Sequence, residues 1–441
     1  MRKKLIAAVL LACAVSLLCA PVGGCAETDG ELPTIEDALS SWFEGDPAAE
    51  ATLSRLADAG NAVACHALAV LLTDENRDLP KVTRLYNRHQ KILLDDPTIY
   101  IELTPLLKRY AKGGCLQAQL MLARIMLLGL TKGGDMVTAM LLYRRGADGG
   151  YAQAQRELAL MFERGEGVEE SRRRAVELYS AAAAQGDVVA MKNLAVLYIN
   201  DEKSTENELK SGLNLVKQAA AANLPEAQLI LAQLYSKGRL VKKDDAQSLR
   251  WYEKAAENGS SDAMGLLGRK YQIGEGVPKS SEKAVKWFTV AAENCDPRST
   301  FQLGVLYYSG DMVEEDHEKA FQYFMDAAKL GDINAWYNVA WLTLNGDGTE
   351  KDLQTALKWF ERAAYAGNSR AQLNLGAIYA NGEGVERDIE ESLFWFRLAL
   401  LTGESEAEKF IAELEPSLDA EAQNRAMRRA VNLYNRMYNA D

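Results

Sequence analysis

The sequence predicts an all-α protein, a superhelical α/α solenoid of helix hairpins that repeat about every 36 residues. Three observations indicate this fold. A small residue recurs after a leucine or valine, a glycine recurs at a fixed distance before it, and an aromatic pair recurs in the second half of the repeat. Each of them marks one part of a hairpin.

The first helix of each repeat is marked by the small residue. Its members are 36 residues apart, with one step of 37: Ala123, Ala159, Ala195, Ala232, Gly268, Gly304, Ala340 and Gly376. Apolar residues surround it at helical spacing, as at Ala371, Leu375 and Ile378. A small side chain lets a neighbouring helix approach closely, so we expect packing to select it.

Glycines mark the turns between helices. One series precedes each first helix: Gly114, Gly150, Gly186, Gly259, Gly331, Gly367 and Gly403. Asn223 and Cys295 replace glycine in this series; asparagine tolerates the left-handed conformation, whereas the sequence offers no reason for Cys295. A second signal, such as Gly382-Glu383-Gly384-Val385, ends the first helix. No Gly-Lys-Ser/Thr follows, so it predicts a turn and not a phosphate loop.

The second helix begins at a capping residue and carries the aromatic pair. The predicted caps are Asp135, Ser171, Asp244, Ser280, Asp316, Asp352 and Asp388, and only Glu208 breaks the series. The pairs are Trp251-Tyr252, Trp287-Phe288, Tyr323-Phe324, Trp359-Phe360 and Trp395-Phe396. Their constant spacing predicts core residues. Such a hairpin buries its apolar side only by stacking on the next one.

The combined pattern Ala-x-x-x-Leu-Gly-x-x-Tyr-x-x-Gly-x-Gly-Val, followed by Asp, an aromatic pair, Ala-Ala and Gly, resembles the Sel1-like, tetratricopeptide-like repeat family. It covers residues 115–404 with eight units. The third unit, from Ala190, lacks the glycine turn and the aromatic pair, which predicts a looser joint or a kink near residues 200–212. The resemblance implies protein–protein adaptor function, no shared catalytic residues, and first helices that line the concave face.

The flanking segments differ from the regular repeats. Residues 25–114 are expected to form degenerate N-terminal helical repeats, because Gly60 and the segment Ala64–Ala69 echo the marker out of period. Residues 405–441 are expected to form capping helices, since an amphipathic segment rich in alanine and arginine follows the last hairpin.

Residues 1–24 have the order of a signal peptide, with Arg2, Lys3 and Lys4 before the uncharged run from Leu5 to Leu18. Two cleavage sites fit. Val22-Gly23-Gly24-Cys25 resembles a bacterial lipobox, which would make Cys25 a lipidated membrane tether, and Gly24-Cys25-Ala26 fits an ordinary cleavage site. Export to the cell envelope is predicted in both cases, as a periplasmic or outer-membrane lipoprotein in the first, and secretion stays possible.

Charge and cysteine count limit the function. Loss of three cations with the signal moves the formal net charge from −12 to −15, which disfavours nucleic acid as a ligand. Of the mature cysteines, Cys65 and Cys115 could form a disulfide, or these two and Cys295 could be buried thiols. No metal-ligand spacing occurs among them, and no cofactor is predicted.

The sequence contains few candidates for catalysis. It has three histidines, His66, His89 and His317, and no nucleophile or carboxylate at a spacing that would join them. Acidic groups such as Glu314-Glu315-Asp316 fall at helix starts, where they complement the helix dipole. The sequence therefore predicts a protein that is not an enzyme.

Large aromatics at variable positions of the first helices form the candidate binding site. They belong to two adjacent repeats: Phe301, Tyr308, Trp336, Tyr337 and Trp341. Exposed tryptophan and tyrosine anchor protein partners well because they bury a large area at little entropic cost. The alternative is that these rings fill space between splayed helices.

Three functions agree with the sequence. The first is an exported scaffold that binds a protein partner, such as an envelope assembly or a sensor. The second is a cell-wall or carbohydrate-active protein that stacks aromatics on sugars, and the third is a secreted factor that acts on a host cell. The sequence contains no paired carboxylates that would favour the second.

Overall fold

The computed structural model describes residues 34–59, 61, 63–68, 81, 99–129 and 136–438, and of residues 99–102 the backbone alone. Within these residues every regular element is a helix, and the repeated adjacent helix pairs confirm the predicted α/α solenoid. The signal segment, Cys25, His89 and the predicted cap Asp135 lie outside the described residues. No described helix is both long and apolar enough to cross a membrane.

The helices follow the predicted order. Before the repeats lie α1 (Ile35–Phe43), α2 (Ala49–Asp58) and α3 (Ile99–Lys112). The first helices are α4 (Leu116–Leu127), α6 (Ala152–Arg164), α8 (Val188–Asn200), α10 (Pro225–Lys237), α12 (Ser261–Ile273), α14 (Pro297–Ser309), α16 (Ile333–Asn345) and α18 (Ser369–Asn381).

The second helices alternate with them: α5 (Met136–Asp148), α7 (Arg172–Ala184), α9 (Glu206–Ala221), α11 (Asp245–Glu257), α13 (Ser281–Glu293), α15 (His317–Lys329), α17 (Leu353–Tyr365) and α19 (Ile389–Leu401). The chain then forms α20 (Ala407–Leu414), a 3₁₀ turn (Glu415–Ser417) and α21 (Ala420–Tyr438). Two compact units divide at Leu267 and Gly268, within α12. We call them the N-terminal and the C-terminal unit.

Side-chain caps start the second helices. Six predicted caps accept a hydrogen bond from a backbone N–H two or three residues ahead: Ser171, Asp244, Ser280, Asp316, Asp352 and Asp388. Glu208, which breaks the series in the sequence, is indeed not the cap of its helix. The cap of α9 is Thr205, which accepts from the Glu208 N–H while the Glu208 carboxylate accepts from the Thr205 N–H. The irregular repeat therefore starts its second helix with a capping box.

The aromatic pairs explain the small residue of the first helix. A Cβ atom added at Gly268, Gly304 or Gly376 would lie 2.6 to 2.7 Å from a ring atom of Phe288, Phe324 or Phe396 respectively. The ring of the second helix thus occupies the space that a side chain would need. The second members of the pairs are buried, as predicted, but the first members are only half-buried, with the exception of Trp395.

Cysteine can adopt the conformation that the glycine series demands. Cys295 has a φ of 62° and Asn223 a φ of 63°, beside the positive φ angles of the glycines at the same position. The turn geometry therefore persists without glycine. All three described cysteines are free thiols, and of these only Cys65 is fully buried, whereas Cys115 and Cys295 are half-buried.

The irregular third repeat is joined to the second by Arg172, the first residue of α7. Its guanidinium lies 2.5 Å from Asp201 and 2.9 Å from Glu208, and it donates to the Ser204 hydroxyl at 3.2 Å. Residues 201–205 replace the glycine turn of the other repeats. Three polar contacts therefore hold the segment for which the sequence suggested a looser joint.

Candidate partner-binding site on the first helices

The five aromatics predicted to bind a partner lie on α14 and α16, the first helices of two successive repeats in the C-terminal unit. Phe301 and Tyr337 occupy equivalent positions. Phe301 packs against Phe324 with ring centroids 5.4 Å apart, and Tyr337 meets Phe360 edge-on at 5.9 Å. Both rings are half-buried and rest on the core aromatic of their own repeat. Part of the surface of each ring is therefore used inside the repeat.

Trp336 is a packing residue. It is 6% exposed, and its indole Nε1 donates to the Ala328 carbonyl at 2.8 Å. The equivalent residue in three other repeats is a buried glutamine whose side-chain amide donates to the equivalent carbonyl of the preceding helix: Gln119, Gln228 and Gln372. The Arg362 guanidinium covers the Trp336 ring at 4.1 Å. The indole thus replaces an amide in a recurring contact between repeats and offers no surface to a partner.

Trp341 is the member of the cluster that faces solvent, with 36% of its surface exposed. Its ring meets half-buried Tyr308 edge-on, with centroids 6.3 Å apart at 90°. Tyr308 in turn stacks on the His317 imidazole at 4.6 Å. An exposed indole held by a second aromatic is a rigid apolar surface, and ordering it on binding costs little entropy.

His317 binds two carboxylates from successive repeats. Its Nδ1 lies 2.5 Å from Asp347 Oδ1, and its Nε2 lies 2.9 Å from Glu315 Oε1. The Tyr308 hydroxyl donates to the other Asp347 oxygen at 3.3 Å. Because carboxylates only accept, both ring nitrogens donate at once only when the imidazole is protonated. The Asp347 hydrogen bond and the charges of Asp347 and Glu315 outweigh desolvation and raise the pKa of His317 above its usual value.

Backbone packing supports the contact between His317 and Asp347, which joins two successive repeats. Gly348, next to Asp347, has a φ of +66°, and a Cβ atom added there would lie 2.1 Å from the His317 carbonyl oxygen. The second glycine of the turn therefore lies directly against the first turn of the preceding second helix. The turn that contains Asp347 is therefore held against α15 in two ways, by the backbone contact of Gly348 and by the His317 side chain.

The arrangement is suited to binding. Among the residues that the structure describes, no group of three histidine, cysteine or acidic side chains is placed to hold a metal ion. Asp347 and Glu315 are both engaged with His317, and Tyr308 is a neutral donor whose pKa is raised by desolvation and by Asp347. What the site presents outwards is an aromatic edge beside carboxylates.

Sequence reasoning missed His317 and Asp347, because they are 30 residues apart and belong to different repeats. One signal was present. Asp347 stands between the two glycines of a turn that departs from Gly-x-Gly-Val, and His317 is the first residue of its helix. Only the stacking of one hairpin on the next brings these two positions together.

The repeat is shared with known proteins. The Sel1 repeat family model matches seven segments that together span more than half of the chain: residues 116–151, 152–187, 225–260, 261–294, 297–332, 334–368 and 369–401. The third repeat, which the sequence analysis singled out, falls between the second and third of these matches. The matches therefore agree with the regular and the irregular parts of the pattern.

Solved structures show the same similarity. A Sel1 repeat protein from Oxalobacter formigenes is 29% identical with a TM-score of 0.51, and the match covers 72% of this chain and 93% of that protein. A protective antigen of uropathogenic Escherichia coli strains that displays an SLR fold is 26% identical with a TM-score of 0.42, over 89% of this chain and 97% of the antigen. No curated protein gives a significant match.

Proposed function

The chain belongs to the Sel1 repeat family, and on that premise we propose that it is an exported, non-enzymatic scaffold that binds a protein partner through the concave face of its first helices, around Trp341. Sel1 repeat solenoids generally bind protein partners and are generally not enzymes. The location of the binding site and the export of the protein go beyond these general properties of the family.

The exposed Trp341 indole is the observation that carries the site. Of the five aromatics proposed from the sequence, Trp336 is buried and Phe301 and Tyr337 pack on core rings, so the binding surface narrows to Trp341 with the edge of Tyr308. Aromatic anchors in such surroundings dominate the binding energy of many protein interfaces. The acidic rim at Glu315 favours a partner with basic residues near its contact.

Site-specific crosslinking in intact cells tests this surface. A photoreactive residue at position 341 should trap a discrete partner, which mass spectrometry identifies, and Trp341→Ala should weaken binding of that purified partner by about tenfold or more. Tyr365 provides the matched control, because it is an exposed aromatic residue, 55% exposed, on a second helix of the same unit. Equal loss on Tyr365→Ala, or none on Trp341→Ala, would exclude the named surface.

Export rests on the basic start and apolar run of residues 1–24, and lipid attachment on Cys25. Fractionation of cells that express the natural chain and its Cys25→Ala variant separates the two cleavage modes. Membrane retention that disappears in the variant supports the lipid tether. Equal release of both forms supports ordinary cleavage, and retention of both in the cytoplasm contradicts export.

A further inference from the structure

An open cleft lies in the N-terminal unit between the second helices α5 and α7. Its volume is about 710 Å³, and the first helix α6 forms its floor. Leu158, Phe162 and Leu178 supply apolar surface, and Arg144 and Arg174 stand on opposite sides of the rim. The Arg174 guanidinium covers the Phe162 ring at 5.2 Å. An apolar floor with a charged rim is the usual anatomy of a helix-binding groove.

The C-terminal unit contains the same three helices in the same register. The first residues of α5, α6 and α7 are Met136, Ala152 and Arg172, and those of α17, α18 and α19 are Leu353, Ser369 and Ile389. The offset is the same for all three helices. Position by position, Arg144 therefore corresponds to Glu361, Arg173 to Glu390, Arg174 to Glu391 and Leu178 to Trp395.

In the C-terminal unit the chain's own α21 covers this face. Ala426 and Ala430 of α21 are fully buried in one cluster with Phe394 and Trp395, which are 3% and 2% exposed. The small alanines let the backbone of α21 approach α19 closely. The Tyr438 hydroxyl at the far end of the helix lies against Gly367, in the turn that follows α17.

Ion pairs orient α21 on this face. Arg425 donates to both oxygens of Glu390 at 3.0 and 2.8 Å, and Arg429 lies 2.7 Å from Glu391 and 4.3 Å above the Phe394 ring. Glu361 lies near the same rim, where burial and the Glu391 charge raise its pKa. A basic amphipathic helix has therefore docked on an acidic rim, within this molecule.

The open cleft carries the opposite charge at these positions. Glu361, Glu390 and Glu391 are replaced by three exposed arginines: Arg144, Arg173 and Arg174. Arg173 forms an ion pair at 3.7 Å with exposed Glu177. Four acidic residues also line the cleft, Asp148, Glu169, Glu170 and Glu177. Two of these four take positions near Arg429 of α21, since Asp148 corresponds to Tyr365 and Glu177 to Phe394, whereas the positions that pair with the arginines of α21 hold Arg173 and Arg174.

We propose that the cleft between α5 and α7 is the docking site of an acidic amphipathic helix from a partner protein, which lies on α7 as α21 lies on α19. Its small residues would pack over Leu178, and its carboxylates would pair with Arg173 and Arg174. Charge argues against a second copy of α21 as the occupant, because Arg425 and Arg429 would meet Arg173 and Arg174 in place of Glu390 and Glu391. This surface is on second helices and does not depend on the Trp341 site.

Two synthetic peptides test the proposal on the full chain. One is residues 418–441 with natural sequence, and the other is the same peptide with Arg425, Arg428 and Arg429 each replaced by glutamate. The glutamate peptide should bind the natural chain, and Arg144→Glu with Arg173→Glu and Arg174→Glu should weaken it by about tenfold or more. The natural peptide should bind this cleft in the triple variant and not in the natural chain. Circular dichroism of the variant checks its fold.

Photo-crosslinking of the glutamate peptide to the natural chain provides a readout that needs no variant. Crosslinks are expected at Leu178 of α7 and at Met140, which lines the cleft from α5. Crosslinks confined to other helices would overturn the proposal. It is also overturned when the glutamate peptide fails to bind, or when it binds the triple variant equally well. Crosslinks of the natural peptide to Met140 or Leu178 of the natural chain would identify a second copy as the occupant of the cleft and exclude the acidic partner.

Discussion

Arg172 and His317 are each the first residue of a second helix, and each reaches a carboxylate in the turn of the following repeat. Arg172 lies 2.5 Å from Asp201, and His317 lies 2.5 Å from Asp347. The two joints differ in how the turn is built. Asp347 is followed by Gly348, which packs on the His317 backbone, whereas residues 201–205 contain no glycine and meet Arg172 through side chains.

The first residue of the second helix therefore joins successive hairpins in both places, but the contacts that support it differ. Where the glycine turn is present, backbone contact supplies much of the joint and a titratable histidine is sufficient. Where the turn is irregular, a permanently charged guanidinium holds Asp201, Glu208 and Ser204 together. In the irregular repeat, the ion pairs and the hydrogen bond of Arg172 thus take the place of the backbone contact that Gly348 makes in the regular one.

The largest effect is expected from Gly348→Ala. The new Cβ atom would overlap the His317 carbonyl, and φ at this position is +66°, so we expect a loss of about 3 kcal/mol or more in the free energy of unfolding. Gly331→Ala is the matched control, because its φ is +91° but no atom lies within 4 Å of the added Cβ. Gly331→Ala should lower the free energy of unfolding by about 1 to 2 kcal/mol, because it adds only the strain of a side chain at positive φ and no overlap with a neighbouring atom. Thermal or denaturant unfolding measures both. Equal losses would mean that backbone contact is not what closes this joint.

Arg172→Ala should have a smaller effect. The side chain is 38% exposed, so screening by solvent limits the loss to about 1 kcal/mol, and it should be local to residues 201–208 and α9. Arg172→Lys should recover only part of it, because one ammonium cannot span both carboxylates in the geometry of the guanidinium fork. Hydrogen exchange of α9 amides provides the measurement. Full recovery by lysine would show that charge alone matters at this joint.

The smallest effect is the pH dependence of the His317 joint. Folding raises the pKa of His317, so its contribution to stability is fully present below the unfolded value of about 6.5 and is lost as pH rises through the folded-state pKa. Amide exchange of residues 346–350, corrected for its intrinsic rate, should therefore accelerate at high pH, whereas the Arg172 joint stays unchanged. In His317→Gln the dependence should vanish. A pH response that survives in this variant would assign it to another group.

Much of the repeat could be predicted because it rests on local chemistry. Caps such as Asp388, the small residue at Gly376 and the buried Phe396 follow from helix starts, helix spacing and a constant period. Thr205 was missed because the irregular turn shifts the start of α9. The role of Trp336 was missed because a tryptophan replaces a glutamine whose hydrogen bond is visible only between repeats.

The binding site could be predicted only in part. The variable aromatics of α14 and α16 were found, but their sequence spacing cannot distinguish the exposed Trp341 from the buried Trp336. The cleft lined by Arg144 and Arg174 was not found at all. Its proposed binding role follows from α21, which covers the equivalent face of the other unit and shows that such a face can bind a helix.

The sequence by itself determined the all-helical hairpin, its period, its caps and its Sel1 repeat pattern, because these depend on residues close together in the chain and on a spacing that recurs. The tertiary structure alone decided which variable side chains face solvent and which join successive repeats. His317 with Asp347, Arg172 with Asp201, and Arg425 with Glu390 are pairs that form only when one hairpin or helix lies on another. The register of that stacking arises from the summed packing of many side chains, and no single stretch of sequence contains it.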